Sequence, residues 1–262
     1  MRTKSLNTLG GLLFASALIS IPMAGRAQKD TAPAVDPKAI AALESMGAYL
    51  RTLKSFEITA TTATDEILDD GMKVQFDGTA KLTVRRPDRM RVLVESDRKH
   101  RELFYDGKTV TLYGPRVKYY ATVAAPPTGR ETVEFLAKKY GMELPLADLF
   151  VWGTDKGKPE QIKRAIYLGP ATVGGISAEQ YVFRQEEVDW QIWIRTGPAP
   201  VPLKLVITTT SEPTNPTHTA ILHWNTTPKT SDAMFTFVPP AGALKIAIQA
   251  IDEKAGVAPA AK

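Results

Sequence analysis

The chain has 262 residues, of which 44% are hydrophobic and 23% charged, the balance of a folded globular protein rather than a disordered one. It contains no cysteine. That excludes a disulfide framework, an iron–sulfur site, a Cys-based zinc site, a thiol nucleophile and a lipid-modified N-terminal Cys. The formal net charge is +5.

That charge changes once the N-terminus is considered. Arg2 and Lys4 form a basic start, Leu6 to Ala24 is mostly apolar, and Gly25-Arg26-Ala27 places small residues at the −3 and −1 positions of a cut site. Residues 1–27 therefore read as a cleaved secretory signal of bacterial type. Arg2, Lys4 and Arg26 leave with it, so the mature chain keeps 30 basic and 28 acidic side chains, a net charge of +2. A nearly neutral exported protein gives no argument for nucleic-acid binding. No later stretch approaches the ~20 apolar residues of a spanning helix. The expected location is the periplasm.

Residues 28–35 are a polar lead-in. Asp36-Pro37 then starts a helix, with a capping carboxylate ahead of proline at the first helical position. Ile40, Leu43, Gly47 and Leu50 follow at helical spacing as one stripe. From Phe56 the period changes to two: Phe56, Ile58 and Ala60 alternate with Glu57, Thr59 and Thr61. Asp69-Asp70-Gly71, Pro87-Asp88 and Asp106-Gly107 are turn signals between strands whose apolar positions share one face. These positions include Val74, Phe76, Ala80, Leu82 and Val84, then Met90, Val92 and Val94. Strands follow at 101–105, 109–113 and 117–123.

Ala124-Ala125-Pro126-Pro127 stops this sheet, and Thr128-x-x-Glu131 is a capping box. Val133, Leu136, Ala137 and Tyr140 form a helical face, and Gly141 fits the C-terminal cap. A second short helix is expected from Pro145 to Phe150, with a polar loop from Gly153 to Pro159. Strands resume at 164–173, 178–185, 190–195, 203–210 and 217–226, and residues 252–262 read as a loose tail. About eleven antiparallel strands with few helices and no β-α-β alternation make a mainly β, α+β protein. The helical segment reads as an insertion between two meanders of one domain spanning 36–251.

Several stretches look familiar. The Gly174-Gly175 turn, Tyr181-x-Phe183, Asp189-Trp190-Gln191-Ile192-Trp193-Ile194 and the strand after Pro202 resemble the second half of the LolA/LolB-like superfamily. That superfamily holds periplasmic lipoprotein carriers, lipid-binding lipoproteins and RseB-like stress sensors. Tyr105-Asp106-Gly107-Lys108, Tyr119-Tyr120-Ala121 and Leu144-Pro145-Leu146-Ala147-Asp148 are similar to a family of predicted periplasmic proteins of unknown function within it. The resemblance implies a strongly curved, half-open antiparallel barrel with a helical lid and an apolar cavity for acyl chains. This chain lacks the lipobox Cys of the membrane-anchored members.

If the apolar strand faces point inward, the cavity lining comprises Phe76, Leu82, Val84, Met90, Val92, Val94, Trp190 and Ile192. The lid stripes are Ile40, Leu43 and Leu50, with Val133, Leu136 and Tyr140. Burying each CH₂ contributes about 0.8 kcal/mol, so a 16-carbon tail gains on the order of 10 kcal/mol before ordering costs. Taken singly, each of these residues is better read as filling an ordinary core; the carrier reading rests on the whole architecture.

Catalytic patterns are thin. His100, His218 and His223 are the only histidines, and the odd spacing of the last two puts them on opposite faces of a strand. Ser96-x-x-Lys99 matches a penicillin-binding nucleophile motif, but no partner motif follows. The Arg85–Arg91 run reads as a solvated hairpin rim ahead of a contact for anionic headgroups or an acidic partner. The expected function is non-enzymatic, without metal or cofactor. It is carriage of a lipid or an acylated protein in the cavity, with transient membrane or envelope-protein contact. The alternative is a protein-interaction or envelope-stress sensor module that uses the same sheet without lipid cargo.

Overall fold

The computed structural model describes residues 34–142, 144 and 159–251. The expected signal segment 1–27, residues 28–33 of the lead-in, the short helix expected at 145–150, the loop from 153 to 158 and the expected tail at 252–262 lie outside them.

Helix α1 (Pro37–Thr52) begins where the sequence places it: the Asp36 carboxylate accepts the Lys38 N–H at 2.8 Å, with proline at the first helical position. Its buried stripe is Ala39, Leu43, Met46, Gly47 and Leu50. Strands β1 (Ser55–Ile67) and β2 (Lys73–Arg85) are the two longest, at 13 residues each. Strands β3 (Arg89–Ser96), β4 (His100–Tyr105), β5 (Thr109–Gly114) and β6 (Tyr119–Ala124) complete the first meander. The β4–β5 turn is the Asp-Gly turn read from sequence. The Asp106 carboxylate accepts the N–H groups of Thr109 at 2.7 Å and Lys108 at 2.9 Å, and Gly107 adopts a positive φ of 87°.

Helix α2 (Gly129–Tyr140) carries its capping box: Thr128 Oγ1 accepts from Glu131 N, and Gly141 caps the far end in the left-handed region. Strands β7 (Arg164–Val173), β8 (Ile176–Arg184), β9 (Val188–Arg195), β10 (Pro202–Thr209) and β11 (Thr217–Asn225) form the second meander. A two-residue β12 (Leu244–Lys245), with no signal in the sequence, pairs parallel to β6.

The sheet order is β12-β6-β5-β4-β3-β2-β1-β11-β10-β9-β8-β7. The two meanders are therefore joined by antiparallel β1–β11 pairing, in the register Ile58 opposite Trp224 and Thr64 opposite His218. The curved sheet is unclosed: β7 and β12 are its edges. Side-chain alternation puts Phe56, Ile58 and Ala60 of β1 on the inner face. The cross-strand partners of Ile58 are Leu82 and Trp224, and the row continues through Val92, Leu103, Leu112 and Ala121.

The α1 stripe, together with Val133 and Leu136 of α2, belongs to the same buried core as these inner-face residues. Lys38 Nζ lies 3.4 Å above the Tyr167 ring and 3.6 Å from Glu179 Oε2, tying the start of α1 to β7 and β8. The Tyr181 hydroxyl donates to Glu179 at 2.8 Å, and burial, then that carboxylate, pushes its pKa up. On the outer face, residues after β11 cover β4–β6. There Phe237 sits 5.3 Å from Phe104, 5.3 Å from Tyr113 and 5.0 Å from Tyr120, ring centre to ring centre.

Met46 is fully buried and Glu44, on the same helix, is exposed. Met46→Ala is expected to cost about 2–5 kcal/mol by leaving a cavity. Glu44→Ala is expected to stay within about 0.5 kcal/mol. Urea denaturation midpoints of the two variants check this.

Candidate functional site

The inner face divides along the strands. Toward one end Phe56, Ile58, Leu82, Val84, Met90 and Val92 are buried beneath the helices. Toward the other, β1 and β2 run on and their inner positions change character. Beyond Ala60, β1 presents Thr62, Thr64 and Glu66. A cleft of about 560 Å³ opens there.

Its floor is made of small residues: Ala60, Gly78 and Ala80. A Cβ at Gly78 would lie 3.0 Å from the Glu95 carbonyl oxygen and 3.2 Å from Thr62 Oγ1, so glycine there lets neighbouring strands approach closely. Phe76, Val94, Leu144 and Ile207 supply apolar walls. One row across the sheet runs Phe76, Thr64, His218, Ile207, Trp190, Phe183, so the cleft wall continues directly into the core.

The polar groups sit in two places. Thr64 Oγ1 and His218 Nδ1 are 2.8 Å apart on the inner wall, and burial lowers the pKa of His218. At the mouth, the β3–β4 turn folds on Ser96, whose Oγ accepts the N–H groups of Arg98 at 3.3 Å and Lys99 at 3.0 Å. That turn projects Arg98 and Lys99 over the opening. Arg98 lies 3.9 Å from the centre of the Phe76 ring and donates to Glu66 at 3.2 Å. Lys99 Nζ is 3.7 Å from the other oxygen of Glu66.

Of the residues expected from sequence to line the cavity, Phe76 and Val94 line this cleft. Leu82, Val84, Met90, Val92, Trp190 and Ile192 lie in the buried core. Of the lid stripes, Leu43, Leu50, Val133 and Leu136 are buried, while Ile40 and Tyr140 are partly buried against the same core. The helices therefore fill the interior where they cross it. Sequence reasoning did not single out Thr62, Thr64, Glu66, Gly78, Arg98, Lys99, Ile207 or His218 as lining residues. The signal was the drift of one strand face from Ala60 to Thr62, Thr64 and Glu66, which marks where the apolar inner face of β1 ends.

The remaining candidates have structural partners. Ser96 is capped within its turn and Lys99 reaches Glu66. His223 is exposed, on the face opposite His218. In the basic run, Arg85 pairs with Asp232, Arg89 with Asp88 at 2.8 Å and Arg91 with Glu102 at 2.8 Å. Among the described residues, no three His, Asp or Glu side chains gather as a metal site.

Comparison with known proteins identifies the family. The profile described as "Predicted periplasmic protein (DUF2092)" matches residues 39–249. The chain belongs to this DUF2092 family. No curated protein matches its sequence significantly. Among solved structures, it is similar to an uncharacterized conserved protein from Thermus thermophilus, at 11% identity and TM-score 0.45, over 80% of this chain and 99% of that one. It is also similar to the Mycobacterium tuberculosis lipoprotein LppX, at 10% identity and TM-score 0.45, over 75% and 100% of the two chains. The LolA superfamily protein NE2245 from Nitrosomonas europaea aligns at 9% identity and TM-score 0.35, over 76% and 97%. Among the described residues of this DUF2092 protein, no helix is long and apolar enough to cross a membrane.

His218 gives a pH signature. An unfolded histidine titrates near pH 6.5, and the folded one titrates lower because it is buried. The unfolded chain therefore takes up the proton first as pH falls. The contribution of His218 is complete above about pH 6.5 and is lost as the pH drops below it. The urea midpoint is expected to fall between pH 7.5 and pH 5. In His218→Gln, which keeps a polar partner for Thr64 but does not ionise, that fall is expected to be smaller.

Proposed function

We propose that this chain, exported through its N-terminal segment 1–27, is a periplasmic binding protein whose domain, 36–251, takes an apolar acyl chain into the open end of its curved sheet. The observation that supports it is the cleft of about 560 Å³, whose apolar walls Phe76, Val94, Leu144 and Ile207 are only partly buried. A volume of that size lies within the usual range for small-molecule sites. Apolar surface left uncovered inside a sheet is a standing cost, and an acyl chain removes it at about 0.8 kcal/mol per CH₂. The polar groups gather at the mouth and along one wall, which suits a ligand with an apolar body and a wet end. Leu82, Met90, Val92 and Trp190 belong to the buried core into which the cleft wall continues.

The test uses the protein expressed with its own N-terminal segment and purified without detergent. Solvent extraction and mass spectrometry are expected to recover a lipid or fatty acid, and a dansylated fatty acid is expected to brighten on binding. Thr62→Phe, which places a ring in the cleft, is expected to weaken that uptake about tenfold or more while a cooperative urea transition is retained. Neither recovered lipid nor probe uptake by the parent protein would overturn the reading in favour of a protein-interaction module.

A further inference from the structure

From the size of the cleft and the charges at its mouth, we propose that its ligand is a single-chain amphiphile with an anionic head, held by Arg98 and Lys99. This rests on the acyl-binding reading above and narrows it.

Volume sets the number of chains. A methylene takes about 30 Å³, close to the share of one liquid water. A sixteen-carbon chain then needs on the order of 500 Å³, and a triacylated anchor about three times that. The cleft offers about 560 Å³. It fits one tail, and the interior beyond it is occupied by the core beneath α1 and α2.

Charge sets the head. Strand alternation fixes which charged groups face the opening. Asp77 and Glu95 follow the outward set of β2 and β3, and the Glu95 carboxylate turns to His100, 4.0 Å away on the outer face. Of the titratable residues lining the cleft, Glu66, Arg98, Lys99 and His218 turn their side chains toward it, while Asp65, Asp69, Asp70 and Glu212 border the neighbouring rim that Glu66 and Arg98 share. His218 is neutral near pH 7, so two cations face one carboxylate.

Geometry favours recognition over simple charge cancellation. The Arg98 guanidinium is held against the Phe76 ring, an apolar wall of the tail site. Glu66 accepts from one of its five N–H groups. The turn beneath is braced as well: Arg116 donates to the Ser96 carbonyl at 2.6 Å and to that of Asp97. A planar carboxylate or a phosphate entering beside Phe76 meets a pre-positioned Arg fork and a Lys ammonium while its tail runs toward Ala60 and Ile207.

The experiment measures displacement of 11-(dansylamino)undecanoate from the protein, purified as above, by dodecanoate, dodecyl phosphate and dodecanol. Native mass spectrometry counts the chains bound. The anionic competitors are expected to bind one per protein, and dodecanol about tenfold more weakly. The Arg98→Gln/Lys99→Gln double variant is expected to lose about tenfold in affinity for the anions, with dodecanol unchanged and the urea midpoint unmoved. Preference between dodecanoate and dodecyl phosphate identifies the head as a carboxylate or a phosphate, and either supports the proposal. Equal affinity for dodecanol and dodecanoate, an unaffected double variant, or more than one chain bound would overturn the proposal while leaving acyl binding intact. Failure of every probe to bind would instead overturn the acyl-binding reading itself, and this inference with it.

Discussion

Strand β1 hydrogen-bonds to β2 on one side and to β11, from near the end of the chain, on the other. That double pairing turns two separate meanders into one sheet. It also sets the register that aligns Phe76, Thr64, His218 and Ile207 in one row. A slip of one residue would move every inner side chain of β1 to the outer face. The core and the cleft are both built on alternate residues of this strand: Phe56, Ile58 and Ala60 serve the first, Thr62, Thr64 and Glu66 the second.

The division of the interior follows from where the helices lie. Helix α1 supplies a buried stripe in which Leu43, Met46 and Leu50 are the large side chains, and these join the core at one end of the sheet. Where that stripe has no partner, the inner face turns to threonine and small residues, leaving space. Apolar wall, small floor and charged mouth then occur together because the same strands run past the end of the helix packing.

Much of this organisation was legible in the sequence because its signals are local. Asp36-Pro37, Thr128-x-x-Glu131, Asp106-Gly107 and Gly174-Gly175 each act over a few residues, and the elements they bound lie where period and turn chemistry put them. The site was less legible because it depends on what lies opposite. Leu82 and Phe76 carry the same alternating signal, yet one is buried in the core and the other lines the cleft. Thr62 and Thr64 look like outward residues by type and face inward by position. In the sequence Lys99 stands out only in the Ser96-x-x-Lys99 match, and only the fold of that turn on Ser96 brings Arg98 and Lys99 over the opening. Residues 232–248 carry no periodic pattern, and their covering of the outer face through Phe235 and Phe237 is a purely tertiary outcome.

The β1–β11 seam also has a kinetic meaning. A chain that emerges from its N-terminus completes β1 to β6 well before β11 exists. Until then one side of β1 carries a row of unsatisfied backbone donors and acceptors, the kind of border that recruits a neighbouring chain. The closing step joins residues far apart in sequence and is slow for that reason. Until the β1–β11 pairing forms, self-association along this border competes with completion of the sheet.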